Sequence, residues 1–387
     1  MKISQFIWII LTFILAYLAV LINHDNLAEQ IVFTDYHLVL GRSIWDGNGY
    51  HAYYPLWGYP FFVGLIDKLF VSSRDLLITI IQVSLIALAC WWVVLPKINN
   101  FRQLLLAPLF FPIYFHAAVK WADAIFILGL VILLKSIDLY SKHKRSSILV
   151  IVSVSAIASN IRPDFLFLSG FVFLISLLYF AVSRWKESDF LKISCILLLS
   201  SFLSLVPWFI YSGSFTSANG GLVFYISLGQ LPDNPWDRVY IDQSGFDFAQ
   251  SMNTHPYSPE GNKILFHAGA KDISTYPIDY IRKTLHNLIS IFTFGIFGMN
   301  FPLFFLVFSI LFFVSTRRYK GTTLSFINSV FLFTIIWISM IQYIDRHLNG
   351  VYTLMLLQIS TTLFHPLSQQ VASPPKSQIK MPATPSN

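Results

Sequence analysis

The feature that most constrains this chain is a recurring apolar run of about 20 residues, the length an α-helix needs to cross a hydrocarbon core. On that ruler spans are expected near 5–23, 75–95, 103–118, 121–137, 147–160, 164–182, 192–211, 298–315, 323–343 and 349–364. Composition points the same way. Of 387 residues, 55% are hydrophobic and 12% charged, and the mean hydropathy is +0.63. A soluble domain carries about 25% charged residues, so this chain has too few to cover a water-facing surface. The sequence predicts an all-α polytopic membrane protein with about ten transmembrane helices, occupying residues 1–365. The first run, Phe6 to Ile22, is long for a signal peptide and lacks a small-x-small cleavage site, so it reads as an uncleaved helix. The tail 366–387 is rich in Pro, Ser and Gln and predicts a disordered cytoplasmic extension.

Charge sets the expected orientation. With the N-terminus inside, the short inner loops gather Lys97, Arg102, Lys142, Lys144, Arg145, Arg184, Lys186, Arg317, Arg318 and Lys320, opposed only by Asp138, Glu187 and Asp189. This is the positive-inside pattern, and it predicts both termini on the cytoplasmic side of a cell inner membrane. The net charge of +7 is spread through these loops, which argues against nucleic acid as a partner. Cys90 and Cys195 both lie within apolar runs, so neither a disulfide framework nor a thiolate metal site is expected.

Two outer segments, about 24–74 and 212–297, are too long to be mere connectors. In the first, Thr34 stands as an N-cap ahead of a juxtamembrane helix Asp35–Asp46 with a broad apolar face. Trp57–Phe70 is apolar but only about 14 residues long, too short to span, and reads as an interfacial or re-entrant helix. In the second, a Gly/Asn/Pro-rich part (219–236) precedes a helix from Pro259 capped by Ser258. Another helix follows from Pro277 and re-enters the membrane.

The candidate chemistry sits at the outer ends of the spans. Asp35, Lys120, Asp123, Arg162, Asp164, Asp345, Arg346 and His347 all fall there, several inside or beside apolar runs. An ionisable group at membrane depth costs about 3 kcal/mol unless paired or solvated in a cavity. Snorkelling and local pairing, such as Arg162 with Asp164 within one turn, account for any single residue. They do not account for a whole set gathered on one side.

The order of these residues resembles the GT-C glycosyltransferases that use polyprenyl-phosphate sugars, glycosyltransferase family 39 with its protein O-mannosyltransferases and the aminoarabinose transferases. The resemblance rests on Thr34-Asp35-Tyr36, on the Tyr- and Pro-rich stretch from Tyr50 to Pro60, and on Lys120-Trp121-Ala122-Asp123. It continues through Arg162-Pro163-Asp164, Pro207-Trp208 followed by Gly220-Gly221, and Asp345-Arg346-His347. The family's adjacent Pro-Pro pair is spread here over Pro55 and Pro60, and Tyr54 stands where the lipid A transferases have a basic residue. The resemblance implies a GT-C fold with juxtamembrane helices in the first outer loop. It implies an inverting glycosyltransferase that moves a sugar from a polyprenyl-phosphate donor to an acceptor hydroxyl on a glycan, lipid or protein.

Under that expectation Asp35 is the base and Asp123 positions the acceptor. Arg162, Arg346 and Lys120 hold the donor phosphate, since a guanidinium offers a fork of donors and keeps its charge. Tyr54, Trp57, Tyr59 and His347 are candidate substrate contacts, against the alternative of an interfacial aromatic belt. No cofactor motif is present. A divalent cation shared by Asp35 and Asp123, with His37 near, stays open. The competing classes are an O-antigen-type polymerase or ligase, for which more arginines would be expected in the large outer loop, and a lipid-linked sugar transporter, for which charges near the bilayer midplane would be expected.

Overall fold

A computed structural model describes residues 1–24, 27–50, 52, 56–70, 74–98, 101–119, 122–142, 144–182, 188–213, 219–293, 304–317, 321–341 and 348–362, with the backbone alone at 24, 27–35, 74, 102, 293, 361 and 362. The expected tail 366–387 lies outside the described residues. Everything regular among them is helical: α1 Ile3–His24, α2 Leu27–Trp45, α3 Gly58–Leu69, α4 Arg74–Val94, α5 Phe111–Ala117, α6 Ala122–Ser141, α7 Ser147–Ile161 and α8 Asp164–Val182 come first. They are followed by α9 Ser188–Ser212, α10 Gly220–Ser227, α11 Asp242–Ser251, α12 Pro259–Thr275, α13 Pro277–Thr293, α14 Phe304–Thr316, α15 Thr322–Met340 and α16 Leu348–Thr362.

Five of the described helical stretches are long and apolar enough to cross a membrane: Ile3–Asn23, Asp75–Lys97, Asp164–Val182, Ser188–Ser212 and Thr322–Met340. Gln103–Ala117, Ser147–Ile161, Phe304–Thr316 and Leu348–Ser360 are apolar but shorter. The surface has the character of a protein in lipid. Leu18, Leu21, Leu149, Leu174, Leu178, Leu203 and Ile210 are exposed, while Ser155, Ser159, Ser176, Ser194 and Ser201 are buried. Small polar residues let helices approach closely and bond to one another where apolar burial gives no drive. Ser176 of α8 and Ser194 of α9 share a hydrogen bond of 2.6 Å. The chain is a multi-pass helical membrane protein.

Local chemistry explains some helix ends, and three expectations change. Ser258 caps α12 by accepting from Gly261 N at 3.0 Å, with Pro259 at the first helical position. The juxtamembrane helix is not capped at Thr34. It begins at Leu27, because Leu27, Ala28, Glu29 and Gln30 are strong helix formers. The expected span 103–118 is divided into a 3₁₀ segment, Phe101–Phe110, with Pro108 inside it, and α5, with Pro112 near its start; Pro108 has no N–H to give an α-helical ladder. The Gly/Asn/Pro-rich part begins as a helix, α10, continues as a 3₁₀ turn over Leu228–Gln230, and is irregular from Leu231 on, with Asp233 and Asp237 both at φ 51.

The architecture brings one set of helix ends together. α6 packs between α4 and α7, α7 lies on α9, α15 closes against α6 and α8, and α16 against α6. α2 and α3 form a tight hairpin, where a Cβ on Gly41 would collide with Pro60 O and one on Gly64 with the backbone of Gly41. Arg42 clamps the hairpin by donating from Nε and Nη2 to the two oxygens of buried Asp67, at 2.6 and 3.0 Å. The start of α3 rests on the end of α7, since a Cβ on Gly58 would meet the backbone of Asn160 at 2.7 Å.

Candidate functional site

The site grows from the turn between α7 and α8. Pro163 disfavours the helical conformation of its predecessor, and Arg162 is extended at φ −133, ψ 115. α7 stops there, and α8 restarts at Asp164. The turn folds Arg162 back on its neighbour. Nε donates to Asp164 Oδ1 at 3.0 Å and Nη2 to Oδ2 at 2.6 Å, a bidentate pair. Nη1 donates to Asp123 Oδ1, in the first turn of α6 and 39 residues earlier in the chain. The guanidinium carbon lies 5.1 Å from the centre of the Phe126 ring.

All three side chains are largely withdrawn from solvent, at 10% exposure for Asp123, 16% for Arg162 and 19% for Asp164. Burial works against the charge on Arg162 and the two carboxylates outweigh it, holding its pKa above the ordinary arginine value. The cluster carries two negative charges against one positive. Of the five guanidinium N–H groups, three are taken, so Nη1 and Nη2 each keep one for a further acceptor.

A cleft of about 40 Å³ opens beside the pair, bounded by Arg162, Asp164, Phe126, Trp337, Ile338 and Gly350. That volume admits a few waters, whereas ligand pockets run to about 300 Å³ or more. Its far wall is made by the end of α15 and the start of α16. These are the elements that flank 342–347, where Asp345, Arg346 and His347 lie outside the described residues.

The other expected site residues divide into three groups. Lys120 and Tyr54 lie outside the described residues, and Asp35 is described only as a helical position on α2. Trp57 is exposed, its ring edge-on to Phe61 at 5.8 Å. Tyr59 is fully buried, edge-on to His37 at 5.0 Å. Burial, and then the nearby Asp123 carboxylate, push its hydroxyl above the usual tyrosine range, with Gln82 alongside. Tyr59 thus places the α2–α3 hairpin within electrostatic reach of Asp123. Gln82 was not among the expected residues, although a glutamine inside the apolar run of α4 is a visible signal. Among the described residues no three His, Cys, Asp or Glu side chains gather as a metal site requires.

His37 makes the hairpin sensitive to acid. Burial lowers its pKa to about 4, against about 6.5 in an unfolded chain. Between those values the unfolded state binds the extra proton, so stability is full above about pH 6.5 and falls as pH drops towards 4. The loss reaches about 3 kcal/mol. Heat denaturation in detergent should show this acid limb in the wild-type protein and a flatter one in His37→Gln; equal limbs would assign the acid sensitivity elsewhere.

No family model, no curated protein and no solved structure matches this chain.

Proposed function

We propose that this protein is an inverting glycosyltransferase of the GT-C type, with about ten spans and its long loops on the outer face of a cytoplasmic membrane. It moves a sugar from a polyprenyl phosphate to an acceptor hydroxyl in the synthesis of cell-envelope glycan or glycolipid. The observation that carries the reading is the buried Asp123–Arg162–Asp164 cluster at one end of the bundle, with Tyr59 of the α2–α3 hairpin beside Asp123. It puts carboxylates and a guanidinium with two unused N–H groups where loop-side helix ends meet an apolar belt. A lipid-linked sugar phosphate offers its reacting bond at that same boundary.

The chemistry asks little else. Asp35 takes the proton of the acceptor hydroxyl as its oxygen attacks the anomeric carbon from the face opposite the phosphate. The bond from that carbon to the phosphate oxygen breaks, and its electron pair leaves on the polyprenyl phosphate. That group departs readily as an anion, so cations aimed at its oxygens lower the barrier more than a general acid would. Arg346 and Lys120 are assigned to the phosphate together with the unused Nη1 and Nη2 positions of Arg162, and Asp123 to holding the acceptor side. Trp57, Tyr54 and His347 are assigned to the substrate, whereas Tyr59 supports them from the interior.

The reading is tested with purified protein and a panel of radiolabelled polyprenyl-phosphate sugars, followed for release of the headgroup onto acceptor. Proteoliposome uptake is measured in parallel. Uptake without transfer would make the protein a transporter, and reaction only with pyrophosphate-linked glycans would make it a polymerase or ligase. Arg346→Ala is expected to raise the donor KM by about tenfold or more, as loss of a charge-assisted bond does, with little change in acceptor KM. An unchanged donor dependence would remove Arg346 from the phosphate.

A further inference from the structure

Helix α13 is amphipathic in the reverse sense. Its apolar residues Ile278, Ile281, Leu285 and Ile289, at helical spacing, are exposed, while Lys283, Asn287 and Ser290 are buried. The polar face is turned onto the end of α15. Lys283 Nζ donates to Met340 O at 2.8 Å and to Ile341 O at 2.7 Å. Tyr280 OH donates to Met340 O at 2.9 Å, and Asn287 Nδ2 to Ser339 O at 3.3 Å. The last carbonyls of a helix have no partner within it. Here three side chains of another helix supply partners for three of them, and the α15 dipole favours the protonated form of the Lys283 amine that burial disfavours.

A fully buried amine is costly to place there, and burial holds its pKa well below the ordinary lysine value. What it secures is position. Trp337 and Ile338, in the same last turn of α15, form the wall of the cleft facing Arg162 and Asp164. Trp337 is itself held by stacked rings, Phe167 of α8 and Phe333, each at 5.5 Å. The clamp also reaches the segment around α10–α12, because Asn287 donates to Gln230 Oε1 at 3.1 Å.

We propose that Lys283 is a positioning residue: by capping α15 from α13 it fixes Trp337 and Ile338 against Arg162 and Asp164, and so sets the donor-side wall of the cleft. The assignment of that wall to the donor rests on the glycosyl-transfer reading. The capping itself does not.

The test pairs kinetics with a readout that needs no activity. Lys283→Met should raise the donor KM by about tenfold, the weight of lost hydrogen bonds from a charged group, while kcat and acceptor KM stay within about twofold of wild type. Lys283→Arg, which keeps donors for the same carbonyls, should restore the wild-type value. In a Trp337→Ala background, Lys283→Met should add little, because both changes act on the same wall. Amide hydrogen exchange across Ser339–Ile341 should quicken in Lys283→Met and return in Lys283→Arg. Should Lys283→Met fail to insert, Asn287→Ala carries the same exchange and KM measurements with the lysine in place.

Unchanged exchange overturns the clamp. Faster exchange with an unchanged donor KM, or full additivity with Trp337→Ala, overturns the positioning role. If the wild-type protein transfers no sugar, the glycosyl-transfer reading and the donor assignment fall together, and exchange still decides whether Lys283 holds the end of α15.

Discussion

Asp35→Asn is expected to lower sugar transfer by about two to four orders of magnitude, the usual contribution of a positioned general base, while leaving the protein inserted and folded. The side chains differ by one oxygen for nitrogen, so shape is conserved and only the ability to take a proton is lost. The hairpin that carries position 35 gives the expectation its rigidity. Two residues on, His37 packs on Tyr59, and Leu38 is buried with Tyr59 and Val63. Further along, Arg42 closes on Asp67, and Trp45 Nε1 donates to Phe61 O at 2.9 Å. The measurement is single-turnover transfer from radiolabelled polyprenyl-phosphate sugar, with insertion checked by size exclusion in detergent. Transfer at the wild-type rate would show that another group takes the proton.

Much of this frame is written in local chemistry. Pro163 ends α7 and Ser258-Pro259 starts α12, because each acts on the residues beside it. The length and apolarity of α8, α9 and α15 announce themselves as spans for the same reason. The pairing of Arg162 with Asp164 was legible too, since two residues in one turn must meet. The bond from Arg162 to Asp123 was not. It crosses 39 residues and depends on how α6 lies against α7, which no spacing encodes. The inward face of α13 was hidden more completely. A lysine between Arg282 and Thr284 on an amphipathic helix reads as a water-facing charge, and only the packing of α15 against it turns that face inward. Tyr59 makes the same point for the aromatic cluster. Composition marks Trp57 and Tyr59 alike as possible sugar platforms, yet the alternation of faces along α3 exposes Trp57 and buries Tyr59.

Arg162→Ala is expected to destabilise the protein by about 3–5 kcal/mol, the cost of breaking a buried ion pair from one side. It leaves Asp123 and Asp164 facing each other with no cation between them. Arg162→Lys should cost less, because charge remains; it should still lose the bidentate fork to Asp164, which a single ammonium cannot reproduce. The comparison separates two roles. If Arg162 serves only to hold the carboxylates, Asp123→Asn and Asp164→Asn together with Arg162→Met should recover much of the lost stability, since replacing all three removes the uncompensated charge, and the donor KM of Arg162→Lys should stay near wild type. If its two unused N–H groups also bind the donor phosphate, Arg162→Lys should show the same modest loss of stability but raise the donor KM severalfold, because the fork geometry rather than the charge is what the phosphate needs. Apparent denaturation midpoints in detergent and donor KM, measured on the same preparations, distinguish the outcomes. A stable Arg162→Ala protein with unaltered kinetics would mean that the cluster at the α7–α8 turn contributes neither to holding the bundle end nor to catalysis.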